Sequence, residues 1–277
     1  MWSCTQLVTQ LKDMGIQQGD TLLMHTSLRS LGDVRDRSAT LLNAVLNVIG
    51  VEGTLMVPTF TASCADSTEN MTDESERNAL RMLTPSFNRK TSPSDVHLTG
   101  YFSEEVRNHA GSKRSDHPIY SFASIGAQAE FLTQSTPLSY PLGSSGPLHK
   151  LHQLDGKVLL VGVDQTVNIS LRLAEIWAKC PYIHRSIEVK SADNRWVKVE
   201  GVLQCRTGFE RITPLLRNSR IMKTGRLGDA DCYIMSHRML VSMGVAMLAG
   251  DPSAILCRNE SCSSCIQARK MCRETTV

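Results

Sequence analysis

The sequence predicts an α/β protein with a mainly parallel central sheet and flanking helices. Short apolar runs of strand length alternate along the chain with amphipathic segments of helical spacing, a pattern typical of parallel sheets. The clearest run is 157–162, Lys-Val-Leu-Leu-Val-Gly, which fits a strand buried on both faces. Beyond residue 185, apolar and polar residues alternate instead. We therefore expect an antiparallel portion toward the C-terminus.

The first hundred residues show this pattern and one exception to it. Ser3 and Gln6 form a capping box, and the apolar stripe behind them predicts a helix that runs to Met14. Short strands are expected at 21–25 and 54–58, with an amphipathic helix at 38–49 between them. The segment 59–99 is polar and too long for a plain connection, so we predict a lid or binding loop there.

The remaining elements follow from the same signals. Pro147 suits the first position of a helix, and Asn168 is a suitable N-cap for the helix that follows the strand at 157–162. A further strand is expected just after Ser121. The other helices are expected at 102–109, 212–216 and 235–248, and the other strands within 186–204 and 222–235.

Length, charge and cysteine content exclude several classes of protein. The chain has 277 residues and is 41% apolar, enough for a sizeable core. A net charge of +3 supplies no basic stripe for nucleic acid, and every apolar run is far shorter than the roughly 20 residues of a membrane span. No signal peptide is recognisable, and the nine cysteines are an odd number. We therefore expect a cytoplasmic protein with reduced thiols and with neither nucleic acid nor membrane as a partner.

Two polar stretches are candidate anion-binding sites. The strand at 21–25 runs into a turn, 26–32, that is rich in hydroxyls and carries an arginine and a glycine. Lys113 and Arg114 precede another strand and could hold phosphate groups. His117 follows them, and Pro118 directs it toward an extended conformation at a strand edge. Each stretch is equally consistent with an ordinary solvated turn, and His117 with a core histidine.

A third candidate site lies where the strand at 157–162 ends. In open α/β sheets, ligands bind beyond the carboxyl ends of the strands. Arg172 and Glu175 follow on the next helix at positions i and i+3, which makes their side chains neighbours. We expect an ion pair that keeps Glu175 charged and lowers its pKa. An ordinary connection between strand and helix is the alternative.

The C-terminal tail contains a cluster of cysteines. Cys257, Cys262, Cys265 and Cys272 lie within 16 residues, and the middle pair has the two-residue spacing that suits tetrahedral zinc. The alternatives are a flexible tail of reduced thiols and, third, an iron–sulfur cluster.

Four blocks of sequence, in this order and spacing, resemble one enzyme family. They are the strand and turn 24–32, Met-His-Thr-Ser-Leu-Arg-Ser-Leu-Gly; the block 114–122, Arg-Ser-Asp-His-Pro-x-x-Ser-Phe; the stretch 142–175; and the block 225–232, Gly-Arg-Leu-Gly-Asp-Ala-Asp-Cys. Together they resemble the aminoglycoside 3-N-acetyltransferase family, also called the antibiotic N-acetyltransferases, over most of residues 5–247. The second block is the most specific of the four.

The resemblance implies a function and a set of ligands. Members of the family use acetyl-CoA to acylate an amine, so we expect acetyl-CoA and an amine of an aminoglycoside, amino sugar or aminocyclitol. Residues 1–250 would form the acyltransferase-like domain and residues 251–277 a cysteine-rich tail, with a homodimer as one option for the assembly. By position, the residues expected to line the CoA site are His25, Thr26, Ser27, Leu28, Arg29, Ser30, Lys113, Arg114, Ser115, Ser121 and Phe122.

The resemblance also implies a catalytic helix, from which this sequence departs. The family pattern is similar to Asn-Thr-x-x-His-x-x-Glu, whereas this chain has Asn168, Ile169, Arg172 and Glu175 at those positions. An arginine, with a pKa above about 12, cannot accept a proton at neutral pH. His117 then becomes the expected general base. The expected catalytic residues are His117, Asn168, Arg172 and Glu175.

An acidic stretch suited to a polycationic acceptor is replaced as well, around Gln204, Cys205 and Arg206. The sequence therefore predicts a CoA-dependent N-acyltransferase and leaves its acceptor open. The alternative is a non-catalytic CoA-binding or interaction protein that has lost the general base.

Overall fold

Nine strands and eleven helices are formed by the residues that the computed structural model describes, which are 1–68, 71–201 and 205–275. The strands are β1 (Thr21–Thr26), β2 (Thr54–Pro58), β3 (Lys113–Arg114), β4 (Phe122–Gly126), β5 (Lys157–Val161), β6 (Ser186–Lys190), β7 (Trp196–Glu200), β8 (Met222–Leu227) and β9 (Ala230–Ser236). The helices are α1 (Cys4–Asp13), α2 (Arg37–Ile49), α3 (Glu74–Leu83), α4 (Val96–Thr99), α5 (Tyr101–Asn108), α6 (Ala129–Thr133), α7 (Pro147–Gln153), α8 (Ser170–Trp177), α9 (Thr213–Asn218), α10 (His237–Gly250) and α11 (Ser263–Thr275). Within this part of the chain, no helix is long and apolar enough to cross a membrane.

The described strands other than β6 and β7 form one central sheet, in the order β3-β4-β2-β1-β5-β9-β8. β2, β1 and β5 run parallel at its centre, and the outer strands are antiparallel to their neighbours. β6 and β7 make a separate antiparallel hairpin. The predicted α/β class is confirmed, with its parallel centre and its antiparallel C-terminal portion. The antiparallel direction of β3 and β4 could not be foreseen, because an apolar run carries no sign of its direction.

Alternation of side chains along β1 divides the core into two layers. Leu22 and Met24 face the layer formed with α1, α2 and α5, whereas Leu23 faces the layer formed with α7, α8 and α10. All six residues of β1 are buried, as expected for an apolar strand covered on both faces. The sheet is therefore enclosed by helices, and its strand ends are the natural places for a ligand.

Most predicted elements lie within a few residues of the observed ones. α1 has the expected capping box, since Ser3 Oγ accepts from Gln6 N at 3.3 Å and Gln6 Oε1 accepts from Ser3 N at 2.9 Å. The segment 59–99 is not irregular throughout, because α3 and α4 lie within it. Arg81 fixes α3 to its surroundings by ion pairs with Asp66 (3.1 Å) and Glu188 (2.8 Å).

The C-terminal tail packs against the rest of the chain. Cys257, Cys265 and Ala268 join the same core layer as α8 and α10. Gly208 permits a close approach, because a Cβ atom there would lie 2.2 Å from the carbonyl oxygen of Ile255. The described tail residues are therefore folded, and the expected boundary at residue 250 between domain and tail stays a prediction.

A buried histidine at the start of α10 makes folding sensitive to acid. His237 is fully buried, and neither of its ring nitrogens has a hydrogen-bond partner among the described residues. Burial, with a smaller effect of His152, lowers the pKa of His237 to about 3. The unfolded chain, in which this histidine has a pKa near 6.5, therefore binds more protons than the folded chain below that pH.

We expect His237 to reduce the free energy of unfolding as the pH falls from about 6.5 toward 3. The loss at pH 5 is about 2 kcal/mol for this one residue, from 1.4 kcal/mol per pH unit below 6.5. Urea unfolding at pH 7 and pH 5 measures it, and His237→Leu should remove that part of the loss. The control is His97→Leu, at an exposed site. An equal pH-dependent loss in His237→Leu and the unsubstituted protein would contradict the prediction.

Candidate active site

A cavity of about 350 Å³ lies just beyond the carboxyl end of β2, where Phe60 and Ala62 form part of its wall. Arg206 in its wall acts electrostatically on His25, near the end of β1. Cys205, also in the wall, accepts a hydrogen bond from Arg172 on α8, the helix that follows β5. Arg206 is the one charged side chain among the described residues of the wall. The other lining residues are Phe60, Ala62, Ala65, Leu98, Ile119, Tyr120, Ile187 and Thr207.

A buried ion pair adjoins this cavity. Arg172 Nη1 lies 2.6 Å from Glu175 Oε2, and both side chains are at least nine-tenths buried. The guanidinium also stacks on the ring of Phe209 at 4.6 Å and donates from Nη2 to the carbonyl oxygen of Cys205 at 3.3 Å. The predicted ion pair is confirmed, and it ties α8 to the wall of the cavity.

The pKa of Glu175 moves in the direction opposite to the expected one. Burial raises it above the ordinary glutamate value, although the charge of Arg172 and hydrogen bonds from Arg172 and Tyr182 oppose the shift. The sequence shows that the two residues are neighbours on one helix. It does not show that both are enclosed, and enclosure decides the direction here.

Asn168 organises the start of α8 from a fully buried position. Its Oδ1 accepts from Ser170 N at 3.2 Å, and its Nδ2 donates to Gln165 Oε1 at 2.8 Å. The helix begins at Ser170, its N-cap is Ile169 and no side chain caps it, so the predicted N-cap at Asn168 is wrong. These contacts give Asn168 a positioning role, and a catalytic role for it stays a prediction.

His25 and Thr26 end β1 with unsatisfied polar atoms. His25 Nε2 and Thr26 Oγ1 are buried and have no hydrogen-bond partner among the described residues. Burial, and then the positive charge of Arg206, lower the pKa of His25 to about 3, so its imidazole is neutral. Buried polar atoms are normally hydrogen-bonded, so a ligand that supplied partners would be favoured here. That both residues line the CoA site stays a prediction.

The rest of the turn leaves polar groups accessible. Ser30 Oγ donates to Ser27 Oγ at 3.0 Å, and Ser30 lines a second cavity, of about 370 Å³, together with Asp164. Arg29 is exposed, and Leu28 packs against the core layer of α1. Contacts from this turn to CoA stay a prediction.

Arg114 has a structural role in place of the expected contact with CoA. Its Nε donates to Ser121 Oγ (3.0 Å) and Thr59 Oγ1 (3.2 Å). Its Nη2 donates to the carbonyl oxygen of Thr59 (2.8 Å) and to Thr61 Oγ1 (3.0 Å), and its Nη1 donates to the carbonyl oxygen of Ser92. The side chain is buried, and protein acceptors engage all three of its nitrogens. A phosphate-binding role for Arg114 is therefore not supported.

Three neighbours of Arg114 are also structural. Ser115 Oγ accepts from Phe122 N at 2.9 Å, Ser121 Oγ donates to the carbonyl oxygen of Thr59 at 2.7 Å, and the Phe122 ring packs in the core. All three are fully buried. The specific block 114–122 therefore joins β3, β4 and β2, and the expected contacts of these three residues with CoA are corrected.

His117 is held by the backbone on both sides of its ring. Ile119 N and Tyr120 N donate to Nδ1 at 3.2 and 2.9 Å, and Nε2 donates to the carbonyl oxygen of Leu138 at 3.0 Å. Burial lowers the pKa of His117 to about 4, against a smaller raising effect of the Leu138 bond. Neither nitrogen is available for proton transfer in this structure. The expectation that His117 is the general base is therefore not supported, and we assign it to holding the turn at 117–120.

Lys113 differs from its neighbours because it faces solvent. Its ammonium group lies 3.6 Å from Glu130, and both side chains are exposed. Lys113 lines a cavity of about 450 Å³ together with Arg89, Lys90 and Arg107. Lys113 therefore stays a candidate ligand for a phosphate group.

The cysteine cluster has a different fourth member from the expected one. The sulfurs of Cys205, Cys257, Cys262 and Cys265 all lie within 4.8 Å of one another, and Cys272 is not part of the group. Burial tends to raise the pKa of Cys205, but hydrogen bonds with Thr207, Cys257 and Cys262 outweigh it and lower it to about 7. Spacing along the tail could not reveal a ligand 52 residues upstream of Cys257.

The segment around Cys205 and Arg206 is the part of the site that sequence reasoning missed. It drew attention only because an acidic stretch is replaced there, and Gln204 lies outside the described residues. An isolated cysteine beside an arginine carries no recognisable motif. Its position between the tail cysteines and Arg172 becomes visible only in three dimensions.

Comparison with known proteins identifies the family. Residues 23–249 match the family described as aminoglycoside 3-N-acetyltransferase. The chain belongs to this aminoglycoside 3-N-acetyltransferase family. Aminoglycoside N(3)-acetyltransferase IV of Salmonella sp is 31% identical over 259 residues, which cover 92% of this chain and 90% of the relative.

Solved structures of aminoglycoside acetyltransferases share the fold. The apoenzyme AAC(3)-IVa is 30% identical, with a TM-score of 0.84 over 98% of this chain and 97% of that one. A histidine-to-alanine variant of AAC(3)-IVa was solved in complex with a gentamicin. AAC-IIIb, solved in a binary complex with CoASH, is 25% identical, with a TM-score of 0.79 over 90% of this chain and 97% of that one. The predicted family and fold are confirmed.

Proposed function

We propose that the protein transfers the acetyl group of acetyl-CoA to an amine of an aminoglycoside-, amino-sugar- or aminocyclitol-like acceptor. Membership of the acetyltransferase family over residues 23–249 carries this proposal. The relatives solved with CoASH and with a gentamicin support the two ligands. The cavity beyond the carboxyl end of β2, one of the parallel central strands, supports the place of the reaction.

The chemistry requires an unprotonated amine next to the thioester. The amine nitrogen attacks the carbonyl carbon, the carbon–sulfur bond breaks, and the nitrogen loses a proton while CoA leaves as its thiol. The mostly apolar walls of the cavity favour the neutral amine over the ammonium ion, because burial penalises the charged form. Arg206 in the wall acts in the same direction by repelling a second cation.

Because of Arg172, this mechanism has no general base on α8. The guanidinium cannot accept the proton of the amine, and it engages the Glu175 carboxylate at 2.6 Å. We therefore propose slow transfer, in which the amine arrives neutral or releases its proton to water. The same residue favours a second candidate function, a CoA-binding protein without turnover.

The thioester end of CoA would occupy the 350 Å³ cavity near Arg206, whose charge also acts on His25, and the rest of CoA would pass the Thr26–Ser30 turn. The unsatisfied His25 Nε2 and Thr26 Oγ1 support this placement. Lys113 and its cationic neighbours around the 450 Å³ cavity are the proposed partners of the phosphate groups.

Calorimetry with acetyl-CoA, followed by a thiol-release assay over a panel of amines, separates the two candidate functions. Acetyl transfer predicts binding of acetyl-CoA and thiol release that requires both the protein and an amine. Binding without thiol release on any amine supports the CoA-binding protein. Absence of binding at millimolar acetyl-CoA contradicts both.

We also propose that the cysteine cluster binds zinc. Cys205, Cys257, Cys262 and Cys265 supply four thiolates, the ligand set of structural tetrahedral sites. Sulfurs about 2.3 Å from a zinc ion lie about 3.8 Å apart, so sulfurs within 4.8 Å need only a small contraction. The cluster is well suited to this metal.

Metal analysis tests the zinc proposal directly. Protein purified under reducing conditions should carry about one zinc ion per chain, and the double variant Cys262→Ser, Cys265→Ser should carry none, because two of four ligands are lost. Cys272→Ser is the control, since Cys272 is outside the cluster. A zinc content below about a tenth of an equivalent would contradict the proposal.

A cytoplasmic location is proposed from the thiols. No disulfide joins any of the nine cysteines, all of which lie in the part of the chain that the structure describes, and this fits a reducing compartment. The homodimer stays a prediction, and sedimentation equilibrium would test it.

A further inference from the structure

Cys205 brings the cysteine cluster and the cavity together. Its sulfur belongs to the cluster, its carbonyl oxygen accepts from Arg172, and the residue lines the cavity. The other three sulfurs come from the tail, more than 50 residues further along the chain. A metal ion at the cluster would therefore join the tail to the wall.

Close backbone packing holds the tail against the residues that follow the wall segment Cys205–Thr207. Gly208 lies against the backbone of residues 255–257, where a Cβ would meet the Ile255 oxygen at 2.2 Å and the Cys257 nitrogen at 2.6 Å. Arg211 Nη1 donates to the Leu256 oxygen at 3.2 Å, and Arg269 Nη1 donates to the Cys257 oxygen at 2.6 Å. The Gly208 packing and the Arg211 bond hold the chain just after Cys205–Thr207 against the tail, and the Arg269 bond lies within the tail. Cys205 is the one member of the cluster contributed by the wall.

We propose that the metal-loaded cluster fixes the wall segment Cys205–Thr207 and so sets the position of Arg206 in the acetyl-transfer cavity. Cys205 is thus a positioning residue, acting through the metal on Arg206. The inference rests on the proposed zinc site and on the proposed acetyl transfer. Without the metal, the sulfur of Cys205 loses its bond to the tail, and the wall becomes free to open locally.

Limited digestion with trypsin measures how easily the wall segment opens, because trypsin cleaves after Arg206. The measurement does not depend on acetyl transfer. Removal of zinc should speed cleavage at Arg206 by on the order of tenfold, as local opening becomes easier. Arg195, in the exposed turn between β6 and β7, is the internal control and should be cut at an unchanged rate. Equal cleavage rates at Arg206 in the loaded and metal-free protein, or the same increase at both sites, would overturn the proposal.

The variant Cys205→Ser isolates the wall from the tail. The three tail cysteines remain to hold the metal, so the variant should be cut at Arg206 like the metal-free protein even while it retains zinc. Cys205→His, which restores a zinc ligand, should recover protection, and Cys272→Ser should stay protected throughout. Full protection of zinc-loaded Cys205→Ser would also overturn the proposal.

Kinetics connect the wall to the substrate. Zinc removal and Cys205→Ser should lower kcat/KM for the acceptor by on the order of tenfold, because a displaced Arg206 no longer favours the neutral amine in the reaction cavity. An unchanged kcat/KM would overturn this part. The three proposals can fail separately. Absence of the metal refutes the zinc site, and absence of thiol release refutes acetyl transfer. Unaltered cleavage at Arg206 with the metal removed refutes the coupling alone.

Discussion

Arg172→His should raise the rate of acetyl transfer by about 100-fold or more, the lower end of the range for a general base. The substitution places an imidazole where the resemblance to the family implies a histidine, three residues before Glu175 on α8. A neutral imidazole accepts the proton that a guanidinium cannot, and Glu175 is placed to orient it. The measurement is kcat/KM for thiol release at saturating acetyl-CoA, with the amine that gives the highest rate in the panel.

Arg172→Gln is the matched control, because it removes the positive charge without supplying a base. Both variants leave Glu175 without its cation, so urea unfolding must first show that they are folded. We expect a gain for histidine and none for glutamine. An equal gain in both variants would show that loss of charge, rather than gain of a base, controls the rate. No gain in a folded Arg172→His variant would contradict the assignment of Arg172 to the proton-accepting position.

Arg114→Ala should lower the free energy of unfolding by on the order of 4 kcal/mol, because each buried acceptor left unsatisfied costs about 1–3 kcal/mol. The acceptors that would be left unsatisfied are the carbonyl oxygen of Ser92 and the hydroxyl of Thr61, whereas the carbonyl oxygen of Thr59 keeps the bond from Ser121 Oγ. These groups join β2 to the segment before α4, so the effect should appear in stability before it appears in ligand binding. The measurement is the urea midpoint at pH 7.

Lys113→Ala provides the control for Arg114 because the two residues are neighbours on β3. Lys113 is exposed, and its substitution should change the free energy of unfolding by no more than about 0.5 kcal/mol. An Arg114→Ala variant as stable as the unsubstituted protein, yet unable to bind CoA, would restore the phosphate-binding role.

The architecture could be predicted wherever local patterns carry the information. The apolar runs of β1, β2 and β5, the capping box of α1 and Pro147 at the start of α7 all act over a few residues. The helices within 59–99 were missed, and α3 shows why: its apolar residues are grouped in its second half and none of its residues is buried in the core. The antiparallel direction of β3 and β4 was equally hidden.

The site was harder to predict, because burial decides what its residues do. Arg114 and His117 have the residue types of a phosphate ligand and a base, and the sequence block around them is specific. Enclosure and backbone partners give both a structural role. Cys205 replaces Cys272 in the cluster because residues far apart in sequence meet in space. The ion pair of Arg172 and Glu175 was predictable, since it depends only on helical spacing.

Mass analysis of the acceptor after incubation with acetyl-CoA that carries an isotopic label in its acetyl group tests the proposed acetyl transfer most directly. Acetyl transfer predicts a labelled acetyl group on an amine nitrogen of an aminoglycoside-, amino-sugar- or aminocyclitol-like compound. The product should require the protein and should form faster with Arg172→His. The proposal is contradicted if the protein binds acetyl-CoA but neither the unsubstituted protein nor Arg172→His forms a labelled product.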